Sequence, residues 1–234
     1  MITAVQGKNS IIEFPTFYSN KRGDTMAYNS DYQTELIENL AKEIIQKCGV
    51  NCHRNNVKDP LAVDICTKDN IKIDVQYSNN YAKYGDFRLD IISAYTPKNA
   101  LPNRSYKYNP SINIISNFKE KYNCNISKVG KLFQENYLDY FIILFYNTKY
   151  TNQNPDFILL ISKEDLINYC KPQVANLFSQ IKTNNKKDIG SVDQHGSAFV
   201  PLNVTDLCYS TNCIFGSYEE FLTKKEQVRQ YLFS

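Results

Sequence analysis

The sequence predicts an α/β fold with a central mixed β-sheet flanked by helices. Apolar residues recur at helical spacing along Asp31–Cys48, and β-branched residues on both sides of a polar turn predict a β-hairpin within Val63–Gln76. Two continuous apolar runs, Tyr140–Tyr146 and Phe157–Ile161, have the composition of buried strands, and the second leads into a helical segment. Helices and strands in this order are typical of a sheet covered by helices.

The composition is that of a globular protein, with 42% hydrophobic and 22% charged residues among 234. We expect one domain over 1–234, with a core at about 30–95 and 138–172, an insertion at about 97–131 and a C-terminal extension at 173–234. No apolar run reaches the length of a membrane span, and Met1–Ser10 lacks the apolar region of a signal peptide. Seven cysteines without short paired spacings favour reduced thiols and a cytoplasmic location.

The first helix is predicted to begin at Ser30, whose side chain would cap it together with Gln33, and to end at Gly49. A short strand is also expected near Ile11–Phe14 in the N-terminal arm. After the second buried strand, Ser162 is predicted to cap a helix that runs to Tyr169. These elements place the hairpin between the first helix and the central strands.

The hairpin turns at Thr67–Asn70, and its side chains alternate between two faces. Ile71, Ile73 and Val75 share one face, whereas Lys72, Asp74 and Gln76 share the other. Asp64 lies just inside the preceding strand, where pairing can bring it near Asp74. Two carboxylates with a polar side chain beyond them form an oxygen-rich pocket suited to Mg²⁺, although acids at strand ends are also common as solvated turn flanks.

The order of these elements resembles the PD-(D/E)XK nuclease superfamily, in which a helix precedes a strand bearing Asp and a strand bearing Asp/Glu-x-Lys. The matching segments are Asp31–Cys48, Ala62–Ile65 with Asp64, and Ile73-Asp74-Val75-Gln76. Archaeal Holliday-junction resolvases and type II restriction endonucleases are the nearest parallels, over residues 30–95. The resemblance implies a restriction-endonuclease-like fold and a catalytic Mg²⁺, for which Mn²⁺ can substitute, bound by Asp64, Asp74 and Val75.

One position departs from this pattern, because Gln76 stands where the superfamily has Lys. Glutamine can orient a water or a phosphate oxygen but brings no positive charge, so either the metal carries more of the electrostatics or the site is degenerate. The superfamily helix often supplies a Glu to the metal. Glu35 is the obvious acid but lies opposite the apolar stripe, whereas Gln33 lies within it, so Glu35 is kept as a candidate beside its interpretation as an exposed helix acid.

A nucleic-acid surface must be local, because 27 basic and 24 acidic residues give a net charge of only +3. Lys83 and Arg88 follow the hairpin among several tyrosines, and Arg104 and Lys107 lie in the segment 97–131, which is predicted to be a DNA-facing insertion. We expect these four residues to contact phosphates, with tyrosine rings available to unpaired bases; a solvated strand face is the alternative for Lys83 and Arg88.

Three further interpretations concern the rest of the chain. Residues 182–191 are predicted to be a mobile basic loop, and Tyr218–Phe233 is predicted to be one amphipathic helix that packs on the core or mediates dimerisation. A zinc site is disfavoured, because the available ligands have spacings unlike those of known zinc motifs. Those ligands are Cys48, Cys52, His53, Cys208 and Cys213.

Two classes of function remain. The favoured interpretation is a Mg²⁺-dependent type II restriction endonuclease that acts on double-stranded DNA as a homodimer, with Gln76 orienting the attacking water. A structure-selective nuclease such as a junction resolvase is the alternative within that class. The second class is a catalytically weak nucleic-acid-binding protein that keeps the fold; the missing Lys favours it, and the presence of both acids argues against it.

Overall fold

The structure is a computed structural model that describes residues 30–55, 63–79, 81–97, 113–147, 153–184 and 196–234. The strands are β1 Cys52–Arg54, β2 Ile65–Thr67, β3 Lys72–Ser78, β4 Asp86–Pro97, β5 Cys124–Val129, β6 Tyr140–Phe145, β7 Phe157–Ser162, β8 Lys182–Asn184, β9 Gly196–Asn203 and β10 Cys213–Ser217. The helices are α1 Ser30–Lys47, α2 Tyr81–Tyr84, α3 Ile114–Tyr122, α4 Lys163–Cys170, α5 Val174–Ser179, α6 Val204–Ser210, α7 Tyr218–Thr223 and α8 Lys225–Leu232.

Two sheets organise these elements. The first has six strands in the order β1-β2-β3-β6-β7-β10, in which β3 and β6 run parallel and the other neighbours run antiparallel. This confirms an α/β protein with a central mixed sheet flanked by helices. The second sheet, in the order β5-β4-β9-β8, is antiparallel and was not predicted from the sequence.

The central strand β6 is buried on both faces, which explains its unbroken apolar sequence. Phe141, Ile143 and Phe145 face one hydrophobic core, which they share with β4, β9 and α3. Ile142 and Leu144 face the other core, which they share with α1, α7 and α8. The six-stranded sheet therefore lies between a helical layer and the second sheet.

The predicted hairpin is present as β2 and β3, with Ile65 opposite Ile73 and Cys66 opposite Lys72. The turn between them uses Asn70 at a φ of 65°, a left-handed conformation that Asn tolerates. The Thr67 hydroxyl accepts a hydrogen bond from the backbone N–H of Ile71 at 3.1 Å. Asp64 directly precedes β2 instead of lying inside it, because the strand begins at Ile65, later than predicted.

Several sequence predictions need correction. The segment 97–131 is not an excursion throughout, because α3 is buried at Ile114, Ile115 and Phe118 and β5 pairs with β4. The loop predicted at 182–191 begins with β8, which pairs with β9, and the loop after β3 contains the short helix α2. No helix in the part of the chain that the structure describes is long and apolar enough to cross a membrane.

The C-terminal tail forms two helices where one was predicted. Lys224, with backbone angles outside the helical range, separates α7 from α8, and its ammonium donates to the carbonyl oxygen of Phe215 at 2.7 Å. Four apolar residues of the tail are buried, which places this tail on the core. They are Phe221, Val228, Tyr231 and Leu232.

The remaining predictions give a mixed outcome. Helix α1 and the Ser162-capped helix α4 are confirmed, and Gly49 follows α1 with a φ of 82°. Four predictions fall on residues or side chains that the structure does not describe. They concern the strand near Ile11–Phe14, the caps of α1, the basic residues Arg104 and Lys107, and the rest of the basic loop.

Candidate functional site

Asp64 is anchored to the backbone of β3 at the point where β2 stops pairing with it. β2 pairs with β3 only through Ile65 and Cys66, and the next position is filled by the Asp64 carboxylate. Its Oδ2 accepts a hydrogen bond from the backbone N–H of Val75 at 2.7 Å. Because the N–H and C=O of a strand residue point to the same edge, the Val75 carbonyl also points toward this edge.

Asp74 lies on the inner face of β3 and is completely buried. Both of its carboxylate oxygens are engaged. Oδ2 accepts from the amide nitrogen of Gln76 at 2.5 Å, and Oδ1 accepts from the ammonium of Lys131 at 2.5 Å. The same ammonium lies 3.8 Å from Oδ2 of Asp64, so one positive charge bridges the two acids.

Lys131 reaches the acid pair from a 3-10 turn, Lys131–Phe133, that directly follows β5. Gly130, the residue before Lys131, lies directly against the backbone of β4. Its N–H donates to the carbonyl of Ile91 at 2.8 Å, and a Cβ at Gly130 would lie 1.8 Å from the carbonyl oxygen of Asp90. Only glycine allows so close an approach of the two backbones. The second sheet thus holds Lys131 against the first.

Burial and charge act in opposite directions on this cluster. Burial raises the pKa of Asp74 because it disfavours the charged carboxylate, and the Lys131 ammonium opposes that rise. Burial alone would lower the pKa of Lys131, but the charges of Asp74 and Asp64 outweigh it and raise the pKa of the ammonium. Lys131 is therefore a cation at neutral pH, and the carboxylate of Asp74 depends on it.

The acid that α1 directs toward this region is Glu38. Arg54 binds both Glu35 and Glu38, at 2.8 and 2.9 Å, but the Glu35 side chain is 54% exposed and the Glu38 side chain 16%. Burial raises the pKa of Glu38, and the negative charge of Asp64 raises it further, which places Glu38 near the acid pair. Glu35 is instead an exposed partner of Arg54.

A narrow crevice beside the acid pair connects it to the second sheet. Gln76, Arg88, Asp90 and Lys131 are among the residues that line it. Because the amide nitrogen of Gln76 is engaged by Asp74, its side-chain oxygen is the atom left to accept a hydrogen bond from water or substrate. A larger cleft of about 620 Å³, which Asp139, Lys163 and Asp165 line with other residues, contains neither Asp64 nor Asp74.

Of the four basic residues predicted to contact phosphates, two are described. Lys83 lies over the ring of Tyr84, with its ammonium 4.8 Å from the ring centroid. The Arg88 guanidinium lies 6.0 Å from the Tyr84 centroid and 5.1 Å from that of Phe199. Both basic side chains are exposed.

The oxygen atoms around the acid pair provide some of the ligands that a hard divalent cation needs. Two carboxylates, the Val75 carbonyl and the Gln76 side-chain oxygen are oxygen ligands, and Mg²⁺ often binds one or two carboxylates while keeping water or substrate phosphate as its other ligands. The position of the Lys131 ammonium marks where the two acids stabilise positive charge. Within the described ranges, no group of three or more His, Cys, Asp and Glu residues could hold a metal.

The disfavoured zinc interpretation is not supported by the fold. Cys48 and Cys52 are buried against the helical layer. Cys208 and Cys213 pack against the core on the opposite face of the six-stranded sheet. The two pairs of cysteines therefore do not converge.

Comparison of the chain with protein-family models, with curated proteins and with solved structures found no match. The site therefore rests on its own residues. Sequence reasoning missed two of them. Glu38 could have been found by its spacing, three residues before Ala41 and seven before Ile45 on the flank of the buried stripe. Lys131 carried no local signal, because it lies 57 residues from Asp74 in the sequence.

Proposed function

We propose that this chain is a metal-dependent endonuclease that hydrolyses DNA phosphodiester bonds, with a restriction-endonuclease-like fold and Asp64 and Asp74 at its catalytic centre. The observation that carries the proposal is the convergence of two carboxylates, one of them fully buried, on a single cationic group beside the point where β2 stops pairing with β3. A buried like-charged pair is costly unless a cation is bound, so its presence favours a function that uses the cation.

Each residue has a distinct role in this proposal. Asp64, Asp74 and the Val75 carbonyl would hold Mg²⁺ or Mn²⁺, which supplies Lewis acidity and lowers the pKa of bound water. Gln76 fixes Asp74 with its amide nitrogen and offers its oxygen to the attacking water. Lys131 supplies the positive charge that Gln76 lacks and balances the charge on a phosphate held against the acid pair. Glu38 is a nearby acceptor for a proton.

The proposed substrate is double-stranded DNA, cut by a homodimer in the cytoplasm as a type II restriction endonuclease would do. Two-fold symmetry is the simplest way to cut both strands of a palindromic site. A structure-selective nuclease such as a junction resolvase uses the same catalytic residues and differs only in the DNA that it selects.

A second candidate function follows from the same ion pair. Lys131 already satisfies both acids, as it would in a purely structural cluster. A nucleic-acid-binding protein that retains the fold without catalysis would have this arrangement.

The test incubates the purified chain with supercoiled plasmid, branched DNA and structured RNA in Mg²⁺ or Mn²⁺. We expect the parent to cut DNA, and Asp64→Asn and Asp74→Asn each to abolish cutting while circular dichroism shows that the variants are folded. Glu226→Gln, at an exposed acid of α8, is the matched control and should cut normally.

Binding measured in EDTA separates the two candidates further. Neutralising Asp74 relieves the repulsion between the acid pair and a phosphate, so Asp74→Asn should bind DNA at least as tightly as the parent. A parent that cuts no nucleic acid in either metal would favour the non-catalytic candidate. Cutting that survives both substitutions would show that the catalytic centre lies elsewhere.

A further inference from the structure

The outer face of the second sheet carries rings and cations together. Alternation along β4 and β9 sends Leu89 and Val200 into the core, so Arg88 and Phe199 lie on the opposite side. Lys182 of β8 pairs across the strands with Phe199. These residues and the last turn of α2 form a surface that we call the aromatic–basic face. Its members are Lys83, Tyr84, Arg88, Lys182 and Phe199.

Arg88 links the two rings of this face. It lies within cation–π distance of Tyr84 and of Phe199, while Lys83 also approaches the Tyr84 ring. The Tyr84 side chain remains 51% exposed. A hydrogen bond from Lys83 and its positive charge, with those of Arg88 and Lys182, lower the pKa of the Tyr84 hydroxyl. The cations of Lys83 and Arg88 therefore lie at an accessible ring. Asp86 is an acid near Arg88, and Asp90 lies opposite Phe199 across the paired strands.

The scaffold fixes this surface in place. Tyr81 anchors the start of α2, with its ring 4.7 Å from Phe145 and 5.5 Å from Phe157, measured between centroids. Gly85 then turns the chain into β4 at a φ of 63°, and its N–H donates to the Tyr81 carbonyl at 2.7 Å. The backbone that carries Tyr84 is thus held between the packed Tyr81 ring and a tight turn, so little backbone freedom would be lost on binding a partner.

We propose that the aromatic–basic face binds unpaired nucleotides of a nucleic-acid strand, with bases stacked on Tyr84 and Phe199 and phosphates paired with Lys83, Arg88 and Lys182. Base planes are accessible to protein rings only where a strand is unpaired, because in a duplex they stack on one another. Negative phosphates complement the cations of this face, and rings interleaved with cations are typical of single-strand binding.

One member of this face also reaches the candidate active site, because Arg88 lines the same narrow crevice as Gln76 and Lys131. In this respect the inference rests on the proposed function: a strand bound by the aromatic–basic face would lead toward the acid pair. It favours the structure-selective nuclease of the proposed function over the restriction endonuclease, with DNA that contains a single-stranded segment, such as a branch, flap or gap, as the substrate class.

The test measures fluorescence anisotropy of a labelled thymidine homopolymer and of a blunt duplex of equal length, in EDTA so that no cleavage occurs. We expect the single strand to bind more tightly. Tyr84→Ala should weaken single-strand binding about 5- to 10-fold, the loss of roughly one stacked base. Tyr84→Phe should retain affinity because it keeps the ring. Tyr209→Ala, at a tyrosine that is 74% exposed on α6, is the matched control and should bind normally.

Salt dependence tests the phosphate contacts separately. Lys182→Ala should reduce the log–log slope of single-strand affinity against salt by about 0.7, as expected for one lost phosphate contact. Duplex affinity equal to or above single-strand affinity, or full affinity in Tyr84→Ala, would overturn the inference. If Tyr84→Ala cleaves a fully paired duplex as well as the parent does, the inference is wrong but the proposed nuclease activity stands. Single-strand binding that depends on the Tyr84 ring, without any cleavage, would support the inference and contradict the proposed nuclease activity.

Discussion

At the centre of β3, residues on both faces of the strand are buried, but they are stabilised in different ways. Ile73 and Val75 face the helical layer, and their burial is favourable wherever apolar atoms surround them. Asp74, on the opposite face, is no less buried, yet its burial is costly without Lys131 and Gln76. The apolar face therefore needs no further partner, whereas the polar face depends on a single ammonium supplied by a different sheet.

The largest expected effect comes from removing that ammonium. Lys131→Met leaves the carboxylates of Asp74 and Asp64 without their shared cation, so the free energy of unfolding in EDTA should fall by about 3–5 kcal/mol. Urea denaturation measures this. Arg229→Met removes the cation of the exposed Arg229–Glu226 pair on α8 and should leave the free energy of unfolding nearly unchanged. Equal losses of unfolding free energy from the two substitutions would show that the buried ion pair of Lys131 contributes no more to stability than an exposed one.

The polar face should also be more sensitive in catalysis. If Gln76 holds Asp74 and orients water, Gln76→Ala should lower kcat about 10²-fold, as loss of a preorganised polar group does, with little change in the unfolding midpoint. Steady-state cleavage of the preferred substrate measures this. Gln227→Ala, at an exposed glutamine of α8, should leave kcat unchanged. Full activity in Gln76→Ala would mean that another group orients the water.

The backbone position from which Lys131 reaches the acid pair can be disturbed without changing any charge. Gly130→Ala places a Cβ against the Asp90 backbone, so the strands must separate; we expect a loss of about 1–3 kcal/mol in unfolding free energy. Gly85→Ala, where a Cβ meets no atom within 4 Å but φ is positive, should cost about 1 kcal/mol. A smaller loss at Gly130 than at Gly85, from urea denaturation, would contradict a tight approach at Lys131.

The smallest effect is the response of the fold to metal. If Mg²⁺ binds the acid pair, then at a concentration ten times its Kd it should raise the free energy of unfolding of the parent by about 1.4 kcal/mol. Denaturation in MgCl₂ and in KCl of matched ionic strength measures this. Asp74→Asn should show no difference between the two salts. Equal stability of the parent in both would argue that the polar face needs only Lys131.

The sequence predicts the apolar face of β3 better than the polar one, for a physical reason. Alternation and the turn at Thr67–Asn70 are local, so the hairpin and the orientation of Asp74 can be read from adjacent residues. The buried strands β6 and β7 are likewise evident from continuous apolar runs. These features specify the central sheet.

What completes the site is non-local. Lys131 is brought to Asp74 by the pairing of β5 with β4, and the strand β4 that supports it pairs with β9 from the far end of the chain. No periodicity within a short window carries such information. On α1, sequence reasoning weighed Glu35 against Gln33 and did not identify Glu38, which lies on the flank of the apolar stripe of α1 and is paired with Arg54 of β1.

The turn at Thr67–Asn70 decides the chemistry of the site although it contacts neither acid. In a strand, slipping the register by one residue exchanges the two faces. Such a slip would turn Asp74 into the apolar helical layer and present Ile73 or Val75 to Lys131. The left-handed Asn70 and the hydrogen bond to the Thr67 hydroxyl therefore fix the number of residues in this turn. Inserting or deleting one residue there would separate Asp64 from Asp74 although neither acid was substituted.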